Sequence, residues 1–223
     1  MPKLSDRLKE IIGGLKDAEV FADIGCDHGY IAKAMLDGGK CKRVIVTDIS
    51  AKSLKKAEDL LAKEYSGRYT AIVADGFNGV PYADEALIAG MGGEEIVKII
   101  SSAENLPKIL ALQPMKNSDK VRRVLVKSGY KLIKDYTFKS DGKFYDYIVA
   151  EKTPEADLYD EAEYEYGREN LRYLYPDFKE SVIKKRAALE NAAANMKGDE
   201  KSEIEKKIAE LNKIINDDNR VLR

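Results

Sequence analysis

The sequence is short of the residues from which metal centres and crosslinked folds are built. Its 223 residues include one histidine, His28, and two cysteines, Cys26 and Cys41. A lone histidine without clustered cysteines or carboxylates does not furnish a metal site. The two cysteines have neither ligand spacing nor a disulfide framework around them, so reduced thiols, a cytoplasmic setting and no metal are expected. No stretch approaches the roughly 20 apolar residues that a membrane span needs. The opening "MPKLSDRLKE" lacks an apolar signal core, so secretion is not expected. A formal net charge of −1 is no advertisement for nucleic-acid binding, although residues 1–152 carry a slight basic excess and residues 153–223 an acidic one.

What is present is an alternation. The runs "VFADIG", "RVIVTD", "YTAIVAD", "EALIAG" and "KILALQP" are short and apolar on both faces, as buried parallel strands are. Between them lie helical patterns such as "SAKSLKKAEDLLAKEY", with Leu54, Ala57, Leu60 and Leu61 on one face and Ser50 as N-cap. This predicts an α/β fold with a doubly wound parallel sheet. "YKLIKDYTFKSDGKFYDYIVAEK" reads as two further strands joined at Asp141-Gly142, giving a mostly parallel seven-stranded sheet that ends in an antiparallel pair. A short amphipathic helix with Leu4, Leu8, Ile11, Ile12 and Leu15 precedes the sheet. After it, Ile204, Ile208, Leu211 and Ile215 fall on a coiled-coil seam. Two domains are expected: 1–153, and a C-terminal antiparallel α-helical hairpin over 154–223 that turns at Gly198.

The chemistry concentrates in "VFADIGCDHGYIA", residues 20–32. A helix that starts just after a buried strand presents unpaired N–H groups, and Gly25 and Gly29 allow close approach of a ligand. Asp48 closes the second strand, where a carboxylate can accept both ribose hydroxyls, and Asp75 follows the third, where it can meet an adenine amino group. Asp23 makes a third acid at neighbouring strand ends, and together they point to an adenosine ligand. The G-x-G-x-x-G of dinucleotide sites is missing, and Asp27 stands where it would repel a pyrophosphate. Asp23 and Asp27 suit an ammonium group instead. S-adenosyl-L-methionine carries adenine, ribose and an amino-acid end without phosphate.

Asp23-Ile24-Gly25, Asp27-His28 and Tyr30, with "TDIS", "ADG", "AGMGG" and "LQP" downstream, resemble the bacterial TrmK family. Its members are tRNA methyltransferases that methylate N1 of adenine 22 with S-adenosyl-L-methionine. The resemblance covers nearly the whole chain and implies a class I (Rossmann-like) methyltransferase with a helical appendage. Cys26 stands where the family pattern more usually has serine. The resemblance implies that Asp23, Gly25, Cys26, Asp27, His28 and Gly29 shape the methionine pocket. By the same resemblance, Asp48 and Ile49 hold ribose and flank adenine, Asp75 and Gly76 read the adenine edge, and Gly90, Met91 and Gly92 complete the site.

The Asn- or Asp-Pro-Pro-aromatic motif of amino-directed methyltransferases is absent, which fits a target that needs no deprotonation. Adenine N1 has an in-plane lone pair, so positioning rather than a strong base is expected to carry catalysis. Asp27 and His28 are the candidates at the reacting centre, with His28 alternatively walling the cofactor pocket. Gln113 and Pro114 are expected to pack on the base or bond to its edge, and Arg7, Lys116, Arg122 and Arg123 to meet tRNA phosphates. A small-molecule methyltransferase is the alternative. Nothing fixes the oligomeric state, and a monomer is the working expectation.

Overall fold

The computed structural model describes residues 4–155, 158–194 and 196–216. Helix α1 (Asp6–Gly14) opens on Ser5, whose hydroxyl accepts the Leu8 N–H, and it buries Ile11. Seven strands follow: β1 (Ala18–Ile24), β2 (Cys41–Asp48), β3 (Tyr69–Val73), β4 (Glu85–Met91), β5 (Ile109–Pro114), β6 (Tyr130–Ser140) and β7 (Lys143–Lys152). They form one sheet in the order β3-β2-β1-β4-β5-β7-β6. The first five are parallel, while β7 runs antiparallel to both β5 and β6. The expected hairpin is present: Asp141 and Gly142 both take positive φ, the backbone that a two-residue turn between twisted strands requires.

Helices α2 (Tyr30–Asp37) and α3 (Ala51–Leu61) cover one face of the sheet with α1, and α4 (Gly93–Ser102) and α5 (Ser118–Lys127) cover the other. Strand periodicity divides the core. Phe21, Val44, Val46 and Leu87 point to the first face with Met35 and Leu61, whereas Ala22, Ile24, Ile45 and Ile88 point to the second with Ile96 and Leu125. Each fully buried large apolar side chain contributes roughly 1.5–3 kcal/mol of transfer free energy. Ser50 caps α3 as expected, accepting the Ser53 N–H.

Beyond the sheet come α6 (Glu161–Tyr166), α7 (Arg168–Tyr173), α8 (Pro176–Ala193) and α9 (Asp199–Asn216). Asp160 and Glu163 close a reciprocal capping box on α6. Helices α8 and α9 pack through Phe178, Val182, Leu211 and Ile214, and Arg186 bonds Asn212 between them. The seam is shifted from the expected one: Ile214 is buried more deeply than Ile215.

These helices are stitched to the outer strand of the sheet. Asn170 on α7, fully buried, accepts the Thr137 N–H and donates to the Thr137 hydroxyl, while Glu169 accepts the Asp135 N–H. Side chains thus satisfy an edge strand that would otherwise expose unpaired backbone. Arg122 belongs to this joint, and the expectation of a phosphate contact is corrected here. Its side chain is 0% exposed, paired with Asp135 and Asp146, and donates to the carbonyls of Tyr164 and Glu165. An arginine so enclosed cannot reach RNA. Arg123, its exposed neighbour, is held by Glu161 through its two terminal guanidinium nitrogens and lies 4.3 Å over the Tyr164 ring.

Candidate functional site

The strand order reverses between β1 and β4, so a crevice opens outside the carboxyl ends of those two strands. The turn after β1 is pinned there by backbone alone: the N–H groups of Gly25 and Cys26 both donate to the Thr47 carbonyl at 2.8 Å. Gly25 takes φ +73°, and a Cβ on it would lie 2.0 Å from Met91 Cε. The positive φ is what requires glycine here, since the Met91 methyl is the free end of a flexible side chain that can swing aside. Asp27 also takes positive φ, a conformation that aspartate tolerates better than most residues.

Asp48 organises this turn. One carboxylate oxygen accepts the Asp27 N–H at 3.2 Å and the other the Ser50 N–H at 2.8 Å. Each oxygen retains a further lone-pair direction, so the group can still accept from a pair of hydroxyls. Beside it Ile49 is 72% exposed, an apolar side chain laid open at the mouth of a polar crevice. Asp75 follows β3, half-exposed, with Lys98 Nζ at 3.5 Å, and the next residue, Gly76, packs against Ile99. Asp23 is buried at the end of β1. Burial pushes its carboxyl up to about 7, opposed by the Ala32 amide that donates to it and reinforced by the charge of Asp48. The Cys26 thiol is driven far above its ordinary range by burial and by Asp23 and Asp48, which leaves it a small apolar filler.

His28 lies flat on Tyr30, ring centroids 5.3 Å apart, and its Nε2 faces Lys56 Nζ at 3.4 Å and Asp27 at 3.6 Å. The Lys56 ammonium only donates and the Asp27 carboxylate only accepts, so the two contacts call for opposite tautomers of the ring. Gly29 caps α2 and lies so near Ala57 of α3 that a Cβ there would collide.

On the far side of the crevice, β4 and β5 end together. Gly90, at φ +78°, lies in a register shift between Ala89 and Met91 that re-aims the end of β4. The Met115 N–H donates to the Met91 carbonyl, and the Gly93 N–H to that of Lys116, zipping the two loops. Gly92 is approached by the Lys116 side chain. Gln113 differs from its expected part. Its side chain is fully buried, accepts from Arg7 and donates to the Pro114 carbonyl, so it cannot touch the edge of a base. Pro114 is likewise buried. Arg7 is half-buried over the end of β4 and over the Tyr145 ring rather than free at the surface. Sequence reasoning missed Met115, 48% exposed where β5 ends; a large apolar residue just past a strand's carboxyl end was the available signal. Beyond Met115 and Lys116 a groove of about 1060 Å³ runs between the sheet and α6, α8 and α9.

Among the described residues no helix is long and apolar enough to cross a membrane, and no group of three metal-binding side chains occurs.

Residues 4–148 match a family described as "Methyltransferase domain". A Bacillus subtilis tRNA (adenine(22)-N(1))-methyltransferase is 30% identical over 164 residues, which span 71% of this chain and 69% of that protein. A Mycoplasma pneumoniae protein, provisionally described as a tRNA methyltransferase, is 32% identical over 139 residues, 60% of this chain and 64% of its own, just under two thirds of its length. Among solved structures, Mycoplasma capricolum TrmK in complex with S-adenosyl-homocysteine superposes with a TM-score of 0.87 at 21% identity, covering 96% of this chain and 98% of that one. Bacillus subtilis TrmK gives 0.85 at 23% identity over 97% and 100%. The fold of those structures extends through the C-terminal helices of this chain, and the crevice at the β1/β4 switch lies within the matched methyltransferase domain. On the strength of that domain match and the 30% identity to the Bacillus subtilis enzyme, the chain belongs to the tRNA (adenine(22)-N1)-methyltransferase family.

Proposed function

We propose that this protein transfers a methyl group from S-adenosyl-L-methionine to N1 of adenine 22 in tRNA. The observation that carries the reading is the acid-lined, phosphate-averse crevice. Asp48 stands beside the exposed Ile49, Asp23 and Asp75 close the neighbouring strands, and no glycine-rich pyrophosphate cradle precedes α2. Those residues fit an adenosyl group with a cationic amino-acid end. Asp48 would hold the ribose hydroxyls, Ile49 would cover one face of the adenine, and Asp75 would accept from its amino group. Asp23 and Asp27 would favour the positive end.

When bound, S-adenosyl-L-methionine supplies an electrophilic methyl group on a sulfonium. The chain's own part is placement. Adenine N1 carries a lone pair in the plane of the ring, so the enzyme needs no group to take a proton before attack. The carboxylate of Asp27 favours the positive charge that develops on the base. The target must leave its pairing and stacking to expose N1, and the open end of the crevice over β4 and β5 accommodates it.

Residues 154–223 are read as the tRNA-recognising part. The groove between the sheet and this part starts at the acceptor side of the crevice; Lys116 and Lys185 line it beside Asp119, Glu161, Glu165 and Glu210, and Lys185 is paired with Glu165. The reaction is placed in the cytoplasm, where the two free thiols stay reduced. The test is mass mapping of nucleosides in unmodified tRNA incubated with the protein and S-adenosyl-L-methionine. One methyl at N1 of adenine 22 is expected; no incorporation would refute the reading.

A further inference from the structure

Met115 is a large apolar side chain at the surface whose sulfur is nevertheless held in place from inside the protein. Gln113 Nε2 donates to Met115 Sδ at 3.6 Å and to the Pro114 carbonyl at 2.9 Å, and Gln113 Oε1 accepts from Arg7 Nη1 at 2.5 Å. The orientation of the amide is unambiguous. Arginine can only donate and a backbone carbonyl can only accept, so the amide oxygen faces Arg7 and its NH2 faces Met115. Gln113 is 0% exposed. Burying an amide is costly unless each end finds a partner, and here Arg7, 106 residues away in sequence, is the partner that lets it be buried.

The position of Met115 gives this relay a use. The acids at the ends of β1, β2 and β3 assign the cofactor to that half of the crevice, which leaves the ends of β4 and β5 for the acceptor. Met115 stands there, joined to Met91 through its N–H, and Met91 in turn packs on Gly25 of the cofactor turn. For N1 to attack in the plane of the ring, the plane must contain the line of attack. The faces of the base must therefore rest against side walls, not against the donor. A thioether is suited to such a wall, because methionine sulfur makes favourable contacts with aromatic rings and adapts to their shape.

Resting on the proposed reaction, the geometry points to Met115 as the platform on which the target adenine lies, with Arg7 and Gln113 as positioning residues that fix it. Arg7 then acts through Gln113 rather than on a tRNA phosphate.

The test uses the full chain and an unmodified tRNA transcript, with kcat and KM for tRNA measured at two salt concentrations and S-adenosylhomocysteine affinity measured by calorimetry. Met115→Ala is expected to lower kcat/KM for tRNA by about two- to tenfold, the scale of losing a methionine–ring contact, with S-adenosylhomocysteine binding kept within about twofold. Met115→Leu, which keeps breadth and apolarity, recovers most of that loss. Arg7→Ala lowers kcat alone, and adds less than about threefold in the Met115→Ala background, because the two act as one unit. Wild-type rates in Met115→Ala would overturn the platform while leaving the reaction intact. Fully additive losses, or an Arg7→Ala effect confined to KM with a shallower salt dependence, would overturn the relay and return Arg7 to the phosphates. No methylation by the wild-type chain would overturn the reaction and the platform together.

Discussion

Arg122 and Asp135 face each other at 2.9 and 3.0 Å with essentially no solvent on either, one from helix α5 and the other from strand β6. Asp146 and the carbonyls of Tyr164 and Glu165 complete the guanidinium's surroundings. The pair therefore ties three parts of the chain: a helix of the methyltransferase layer, the outer hairpin, and the first helix of the C-terminal part. Removing one member leaves an uncompensated charge in a dry place. Arg122→Ala is expected to cost about 3–5 kcal/mol of stability, read as a lowered midpoint in urea unfolding. A swap of both partners for apolar residues, Arg122→Met with Asp135→Leu, should cost far less. Equal losses in the single and double variants would show that the pair is not the element that matters.

The same joint governs what happens when the C-terminal part is cut away. Removal of residues 154–223 takes off Asn170 and Glu169, which serve the backbone of β6, and the carbonyls that receive Arg122. The shortened chain should lose solubility or melt well below the full protein, because a long edge strand and a buried ion pair become exposed together. A shortened chain that melts with the full one would show the sheet to be self-sufficient.

Much of this architecture was legible in the sequence because parallel strands buried on both faces leave unmistakable apolar runs, and because Asp141-Gly142 has few other uses between two alternating segments. The cluster of acids was legible for a related reason: the apolar runs locate the strand ends, and Asp23, Asp48 and Asp75 fall at or just past the ends of β1, β2 and β3. The contacts around the ends of β4 and β5 were not. Arg122 sits in an amphipathic helix, where an arginine ordinarily faces water, and nothing local announces that β6 and α6 close over it. Gln113 and Arg7 meet only in three dimensions, so the same residues read as two independent polar contacts rather than as one chain of hydrogen bonds.

Asp48→Ala should leave the fold standing and weaken cofactor binding. The variant loses the acceptor for the Asp27 and Ser50 N–H groups and, on the proposed reading, for the ribose. A loss of about 10- to 100-fold in S-adenosylhomocysteine affinity is expected from two charge-assisted hydrogen bonds, measured by calorimetry. Unchanged affinity would place the ribose elsewhere.

Gly25→Ala separates the two demands on that position. The added Cβ would fall 2.0 Å from Met91 Cε, and the residue would still have to hold φ +73°. The single variant should lose cofactor binding and melt lower. The Met91 methyl can move away, so adding Met91→Ala should recover little of the melting temperature, the remaining loss being backbone strain of about 1–2 kcal/mol. Full recovery would mean that the backbone relaxes out of the left-handed region.

Burial of Asp23 makes stability depend on pH in a direction opposite to that of most carboxylates. Its folded-state value, about 7, lies above the ordinary aspartate value of 3.8. The native state therefore binds the extra proton between those limits, and stability from this group is present at low pH and lost as pH rises from about 4 to about 7. A span of about three pH units corresponds to at most about 4 kcal/mol. Asp23→Asn keeps an acceptor for the Ala32 amide but cannot ionise. Its stability relative to wild type should climb across that window and level off above it, as followed by urea unfolding at successive pH values. Cofactor binding should show the other side of the same charge. A cationic amino-acid end favours the ionised carboxyl, so wild type binding S-adenosyl-L-methionine at pH 6 should release close to one proton, visible in calorimetry run in buffers of different ionisation enthalpy. Asp23→Asn should release none. Equal proton release by both proteins would mean that the ligand's positive end is held by another acid, and Asp27 would be the next to replace.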